Sequence, residues 1–283
     1  MVGSCAATKR FETLVKDMTV KNPLQIVVAP HDQWTTKQPS VGADVVPSTP
    51  CRILITGPSG SGKTQLVVDM LTRIYKSSFE RLYVFSPNVH LDSVWDVVKH
   101  HVHTTMGVPE TEQCFFDTWD EDKVSEILKT QRAVIEHQKK EKTSKRLYGI
   151  CIVVDDFADA PSVMSSRAGG SALNQLLVRG RHNQISTMIL SQRLRAAGPL
   201  IRVNVQSMIV FKLRNKLELE SIILELSAVY DKKVLLEMYE LATAERYSFW
   251  YINLAASNVS DMFWQRFEQR MIPSGASPNA LQE

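Results

Sequence analysis

From residue 51 onward, short apolar runs alternate with amphipathic stretches, and that alternation predicts the fold. CRILIT (51–56) is rich in β-branched residues and reads as a buried strand. RLYVFS (81–86), GICIVV (149–154), ISTMILS (185–191) and QSMIVF (206–211) read the same way, and RYSFWYINL (246–254) reads as a late strand. Runs that are apolar throughout suit strands covered on both faces. Between them lie stretches of helical period. One runs from Lys63 to about Tyr75, and another is marked by Leu91, Val94, Trp95 and Val98. Val124, Ile127, Leu128, Gln131, Val134 and Ile135 mark an amphipathic helix running toward Lys142. Further helices are expected over 173–178, 217–229 and 232–243, whereas 104–120 reads as irregular and 158–171 as a polar loop. Strands alternating with helices predict an α/β fold with a mostly parallel sheet flanked by helices.

Three segments are expected: an N-terminal extension or arm over 1–49, one α/β domain over 50–270, and a flexible tail over 271–283. A chain of 283 residues can bury a large core. Its net charge of +3 permits nucleic-acid binding without arguing for it, so any basic surface must be local. No apolar run is long enough for a membrane span, and the N-terminus carries no stretch like a secretory signal. Of the four cysteines, Cys5, Cys51, Cys114 and Cys151, none forms a CxxC pair. Cys51 and Cys151 sit in apolar strands and read as reduced core residues of an intracellular protein.

The turn after the first strand carries the chemistry. Gly57, Pro58, Ser59, Gly60, Ser61, Gly62, Lys63 and Thr64 match GxxxxGK[ST] at every fixed position. Glycines let successive backbone amides point at phosphate oxygens, and the following helix adds its positive end. Lys63 supplies a point charge to the terminal phosphates, and Thr64 a hydroxyl to Mg2+. The alternative is a chance match in a glycine-containing turn, and the motif's place between a strand and a helix favours phosphate binding over it. The expected ligands are therefore ATP and Mg2+.

Such a loop needs a carboxylate partner. The strand at 149–154 ends in Asp155 and Asp156. Asp155 is the candidate metal ligand, and Asp156 the candidate general base. Many ATPases have Glu at the second position, and Asp156 is one methylene shorter. The alternative is an acidic turn after a strand. A strand and two helices between the two motifs leave room for an intervening strand, as in the additional-strand, RecA-like division of P-loop NTPases. Guanine signals fail: Asp155 leads to Ala158 rather than the Gly of DxxG, and 215–218 read Asn, Lys, Leu, Glu rather than NKxD.

Gln192, at the end of the fourth strand, is a candidate for bonding the γ-phosphate or the attacking water; the plainer reading is a polar strand end. Before that strand come Arg179 and Arg181 in RGRH. Either suits an arginine finger reaching a neighbour's γ-phosphate, Arg181 first, or else a solvated helix end.

Taken together, residues 50–255 resemble the FtsK–HerA superfamily of DNA-pumping ATPases. The Asp155–Asp156 pair, the GRH at 180–182 and the compact length look most like the poxvirus-type virion genome-packaging ATPases of large DNA viruses. The resemblance implies a homo-oligomeric ring (pentamer or hexamer) threaded by double-stranded DNA, with ATP hydrolysed at subunit interfaces. It also implies a capsid or portal protein as partner and action at the host-cell assembly site or in the virion. A helicase, a conjugative coupling-type ATPase and a nucleotide-gated assembly protein with low turnover remain alternatives.

Candidate DNA contacts are Arg167, in the loop over 158–171, and Arg193 and Arg195. His100, His101 and His103 lack carboxylate or cysteine companions and read as a solvated helix end. The aromatic residues Phe249, Trp250, Tyr251, Phe263, Trp264 and Phe267 read as core packing rather than base-stacking.

Overall fold

A computed structural model describes residues 34–142, 144–157, 172–194 and 197–274. Its strands are β1 (Arg52–Thr56), β2 (Arg81–Phe85), β3 (Phe115–Phe116), β4 (Ile150–Asp155), β5 (Ile185–Ser191), β6 (Ser207–Phe211), β7 (Phe249–Asn253), β8 (Phe263–Gln265) and β9 (Gln269–Arg270). They form one sheet in the order β3-β2-β4-β5-β1-β6-β7-β8-β9. The pairings from β3 across to β6 are parallel, and those from β6 to β9 antiparallel. The expected α/β architecture is present, and β5 lies between the phosphate-loop strand β1 and the acid-ended strand β4.

Side chains leave a strand alternately on its two faces, and here both faces are covered. Leu54, Ile152, Val154, Ile189, Val210 and Trp250 enter one core; Ile53, Ile55, Val153, Met188, Leu190 and Tyr251 enter the other. Double coverage explains why these strands read as continuous apolar runs. Cys51, Cys114 and Cys151 are buried free thiols. Phe249, Trp250, Tyr251 and Phe263 are buried, with Trp250 stacked on Phe263 at 5.5 Å, which fits packing rather than base-stacking.

The helices are α1 (Lys63–Asp69), continued by a π turn over Met70–Ile74, then α2 (Val94–His100), α3 (Glu121–Glu141), α4 (Ala172–Arg179), α5 (Pro199–Asn204), α6 (Lys216–Leu226) and α7 (Lys232–Ala242). Helix α3 starts where Asp120 accepts hydrogen bonds from the amides of Asp122 and Lys123. It ends at Lys142 in the left-handed conformation. Its polar Gln131 lies on the buried face because its amide donates to the carbonyls of Tyr148 (2.8 Å) and Asn183 (2.9 Å). That ties α3 to the chain just ahead of β4 and β5.

The structure departs from expectation in four places. Helix α2 begins at Val94, and Leu91 ahead of it is 83% exposed. The irregular stretch over 104–120 contains β3, and the short elements α5, β8 and β9 carried no periodic signal. His101 is buried rather than solvated, because the helix continues through a π turn over His101–Thr105. Residues 34–50 pack against the sheet: the Tyr75 and Tyr251 hydroxyls donate to the carbonyls of Pro47 and Val45, both at 2.8 Å. Among the described residues no helix is long and apolar enough to cross a membrane.

Candidate functional site

Parallel strands deliver their C-terminal ends to one edge, where ligands bind in open α/β sheets. Strand β1 ends in the phosphate loop, β4 in Asp155, β5 in Ser191–Gln192, and β2 in the Ser86 loop. A cleft of about 320 Å³ opens there. Ser59, Gly60, Gly62, Lys63, Thr64, Asp155, Asp156 and Gln192 all line it, so eight residues singled out from sequence meet in one place.

Local geometry explains why the loop needs glycine. Gly62 has φ +102°, which side-chain-bearing residues rarely adopt, and it leads directly into α1. At Gly57 a Cβ would sit 2.6 Å from Cβ of Phe211, so β6 leaves no room for a side chain. Lys63 is buried, and its ammonium donates to the carbonyls of Gly57 (2.7 Å) and Pro58 (3.0 Å), curling over the loop. Burial lowers its pKa, and the charges of Asp155 and Asp156 oppose that shift. The Ser61 hydroxyl is buried with no hydrogen-bond partner among the described residues. Such an orphan is costly unless a ligand satisfies it.

Asp155 is buried, and its Oδ2 accepts a hydrogen bond from the Ser86 hydroxyl at 2.9 Å. Asp156 has φ +56°, a left-handed conformation in which Asp is enriched. The Gln192 amide nitrogen lies 2.8 Å from both Asp156 carboxylate oxygens. Gln192 thus holds the candidate base in this structure. The hard oxygen set of the Thr64 hydroxyl and the Asp155 carboxylate, with room for phosphate and water ligands, fits magnesium rather than a softer metal.

Burial pushes the Asp155 carboxyl up to about 6 from 3.8. Asp156 and Asp92 add to that rise, while the Ser86 hydrogen bond and Lys63 oppose it. Between those pH values the folded chain keeps a proton that the unfolded chain has lost. Stability contributed by this group therefore falls as pH rises from about 4 to about 6, then levels off. The gap corresponds to about 3 kcal/mol. Asp155→Asn is expected to remove this slope and to gain about 2–3 kcal/mol at pH 7 in magnesium-free buffer. Urea unfolding of both proteins across that range checks it, and equal slopes would refute it.

Arg179 and Arg181 lie elsewhere. They end α4 and form the 3-10 turn before β5, at the N-terminal edge of the sheet, where burial first, and then the nearby charge of Arg181, lowers the pKa of Arg52. The seven residues of β5, at ~3.3 Å each, put about 20 Å between that edge and Gln192. Neither arginine reaches the phosphate site of its own chain. Arg193 is exposed beside Gln192 and lines a cleft with Pro58, Ser59 and Arg214. Arg167 and Arg195 lie outside the described residues.

Asn88, Asp92 and Tyr247 also line the phosphate cleft, and the sequence reading missed them. Asn88 and Asp92 follow β2, which pairs with β4, so the loop after β2 had to flank Asp155. Tyr247 sits just before β7, at a sheet position visible only once the strand order is known.

A family model described as Poxvirus A32 protein matches residues 43–261. No curated protein matches the chain. Among solved structures, the DNA-packaging ATPase B204 from Sulfolobus Turreted Icosahedral Virus is similar at 17% identity and TM-score 0.49, covering 76% of this chain and 96% of its own. The pCW3 conjugation coupling protein TcpA is similar at 16% identity and TM-score 0.48, covering 87% and 71%. EssC (ATPases 2 and 3) from Geobacillus thermodenitrificans gives 17% identity and TM-score 0.47, covering 69% and 42%.

Proposed function

Since this chain belongs to the Poxvirus A32 protein family, we propose that it is an ATP-driven double-stranded DNA translocase that packages a viral genome into the capsid. ATP is hydrolysed at the subunit interfaces of a homo-oligomeric ring. One observation carries the reading: phosphate loop, acid pair and Gln192 share a cleft, while the candidate fingers lie at the far edge of the sheet. A site so divided is completed by a neighbour, because Arg181 of one subunit can serve only the phosphates of another.

In this reading the loop amides and Lys63 bind and orient the phosphates. Thr64 and Asp155 would hold magnesium, which supplies a Lewis acid for the phosphate oxygens when bound. Asp156 takes the proton of the attacking water once Gln192 releases its carboxylate. Gln192 thereby couples the arrival of the γ-phosphate to freeing of the base.

ATP turnover measured with and without double-stranded DNA, alongside sedimentation, tests the proposal. DNA is expected to raise turnover as a ring assembles and each site gains its neighbour's arginine. Turnover indifferent to DNA in a protein that stays monomeric would overturn it. The Gln192–Asp156 pairing also favours a second reading, a nucleotide-gated assembly protein with little turnover. Nucleotide-dependent assembly without DNA-stimulated hydrolysis distinguishes it.

A further inference from the structure

The start of β1 is tied to both ends of the segment that carries the candidate finger. On one side, Nη1 of Arg52 donates to the carbonyl of Leu177, in the last turn of α4, at 2.7 Å. On the other, the amide of Cys51 donates to the hydroxyl of Ser186 at 3.1 Å, and the amide of Thr187 donates to the carbonyl of Cys51 at 2.7 Å. The turn that contains Arg181, Gly180–Asn183, lies between those anchors. The backbone of Arg52 is itself fixed. Its amide donates to Oε1 of Gln206 at 3.0 Å, and its carbonyl accepts from the amide of Gln206 at 2.9 Å.

Stability alone does not explain an arginine here. The last carbonyls of a helix lack partners within it, and Arg52 supplies one to Leu177. Against that gain, its Nε is buried with no hydrogen-bond partner among the described residues. The same holds for the hydroxyl of Thr187, the residue that faces Arg52 across the β1–β5 pairing. The charged side chain beside Arg52 is another cation, Arg181. An apolar side chain of the same length would avoid both costs. Such costs are typically kept where function needs them. Like charges repel, so a guanidinium fixed on Leu177 drives that of Arg181 off the sheet edge, and Arg181 is exposed.

We propose that Arg52 is a positioning residue for the finger. It fixes the helix end from which the turn departs, and it holds the Arg181 guanidinium outward, toward the phosphates of the next subunit. This rests on the reading of Arg181 as a finger that acts across the subunit interface. Arg52 is remote from the phosphate loop of its own chain. Strand β1 runs from it to Thr56, and four steps of ~3.3 Å make about 13 Å.

Steady-state ATP turnover, with matched melting curves, tests the role. Arg52→Met keeps the reach of the side chain and removes the guanidinium. It is expected to lower kcat about 10- to 100-fold, the cost of a catalytic group misplaced by about 1 Å. KM for ATP and the melting temperature should stay near the wild-type values. Arg52→Lys keeps the charge and a donor for Leu177, so it should restore most of the lost rate. Asp156→Asn subunits lack a base but carry a well-held finger. Mixed in equal amounts with Arg52→Met subunits, they should raise turnover to about a quarter of the wild-type value, since roughly one interface in four pairs an intact site with an intact finger. A role of Arg52 at its own phosphate loop predicts no such recovery. Absence of recovery in rings shown to contain both proteins would therefore overturn the proposal. Wild-type kcat in Arg52→Met beside an inactive Arg181→Ala would overturn it too, while leaving the finger in place. If Arg181→Ala turns over ATP at the wild-type rate, the finger and its positioning residue fall together.

Discussion

Lys63→Ala is expected to eliminate ATP turnover, with a loss of at least about 10²–10³-fold from one transition-state contact. The ammonium curls onto the carbonyls of Gly57 and Pro58 and lies near both Asp155 and Asp156. It is thus the charge closest to where the β- and γ-phosphates must lie. A buried ammonium that burial already disfavours contributes little to folding, so the variant should melt near the wild-type temperature. Turnover assays with matched melting curves check both halves. Lys63→Arg should not rescue, because the longer planar guanidinium does not fit the curl that a point charge makes. A Lys63→Ala protein that hydrolyses ATP at the wild-type rate would remove the phosphate loop from the mechanism.

The phosphate loop was legible because its requirements are local. Gly62 needs a positive φ, Gly57 needs clearance beneath β6, and Lys63 and Thr64 need to open a helix, all within eight consecutive residues. The acid pair was legible for a related reason: a strand buried on both faces cannot carry two carboxylates except at its end. Gln131 was readable as part of a buried helical face, although its two carbonyl partners, 17 and 52 residues away, were not. Tyr247, Asp92 and Ser86 were hidden because their role depends on strand order. Nothing local says that β2 pairs with β4, or that the turn before β7 lies beside the phosphate loop. Strands β8 and β9 were hidden for another reason: segments of three and two residues cannot show a period. The partnership of Gln192 with Asp156 falls between these cases, since both strand ends were readable and their contact was not.

The arginines supply the second large effect. Arg181→Ala should cut hydrolysis about 10³-fold or more while sparing ATP binding, as expected of a finger that acts only in the transition state. Asp156→Asn should be as inactive for a different reason: it keeps Arg181 but lacks its own base. Mixed together, the two proteins discriminate between a finger acting across subunits and a residue serving its own chain. In a head-to-tail ring, an Arg181→Ala subunit has an intact phosphate site that an Asp156→Asn neighbour can complete. Equimolar random mixing places that ordered pair at roughly one interface in four. Activity should therefore recover to about a quarter of the wild-type value if interfaces fire independently. It should recover less if the ring demands concerted firing. No recovery in rings shown to contain both variants would leave Arg181 without a role across the interface. The separation of about 20 Å along β5 already denies it one within the chain.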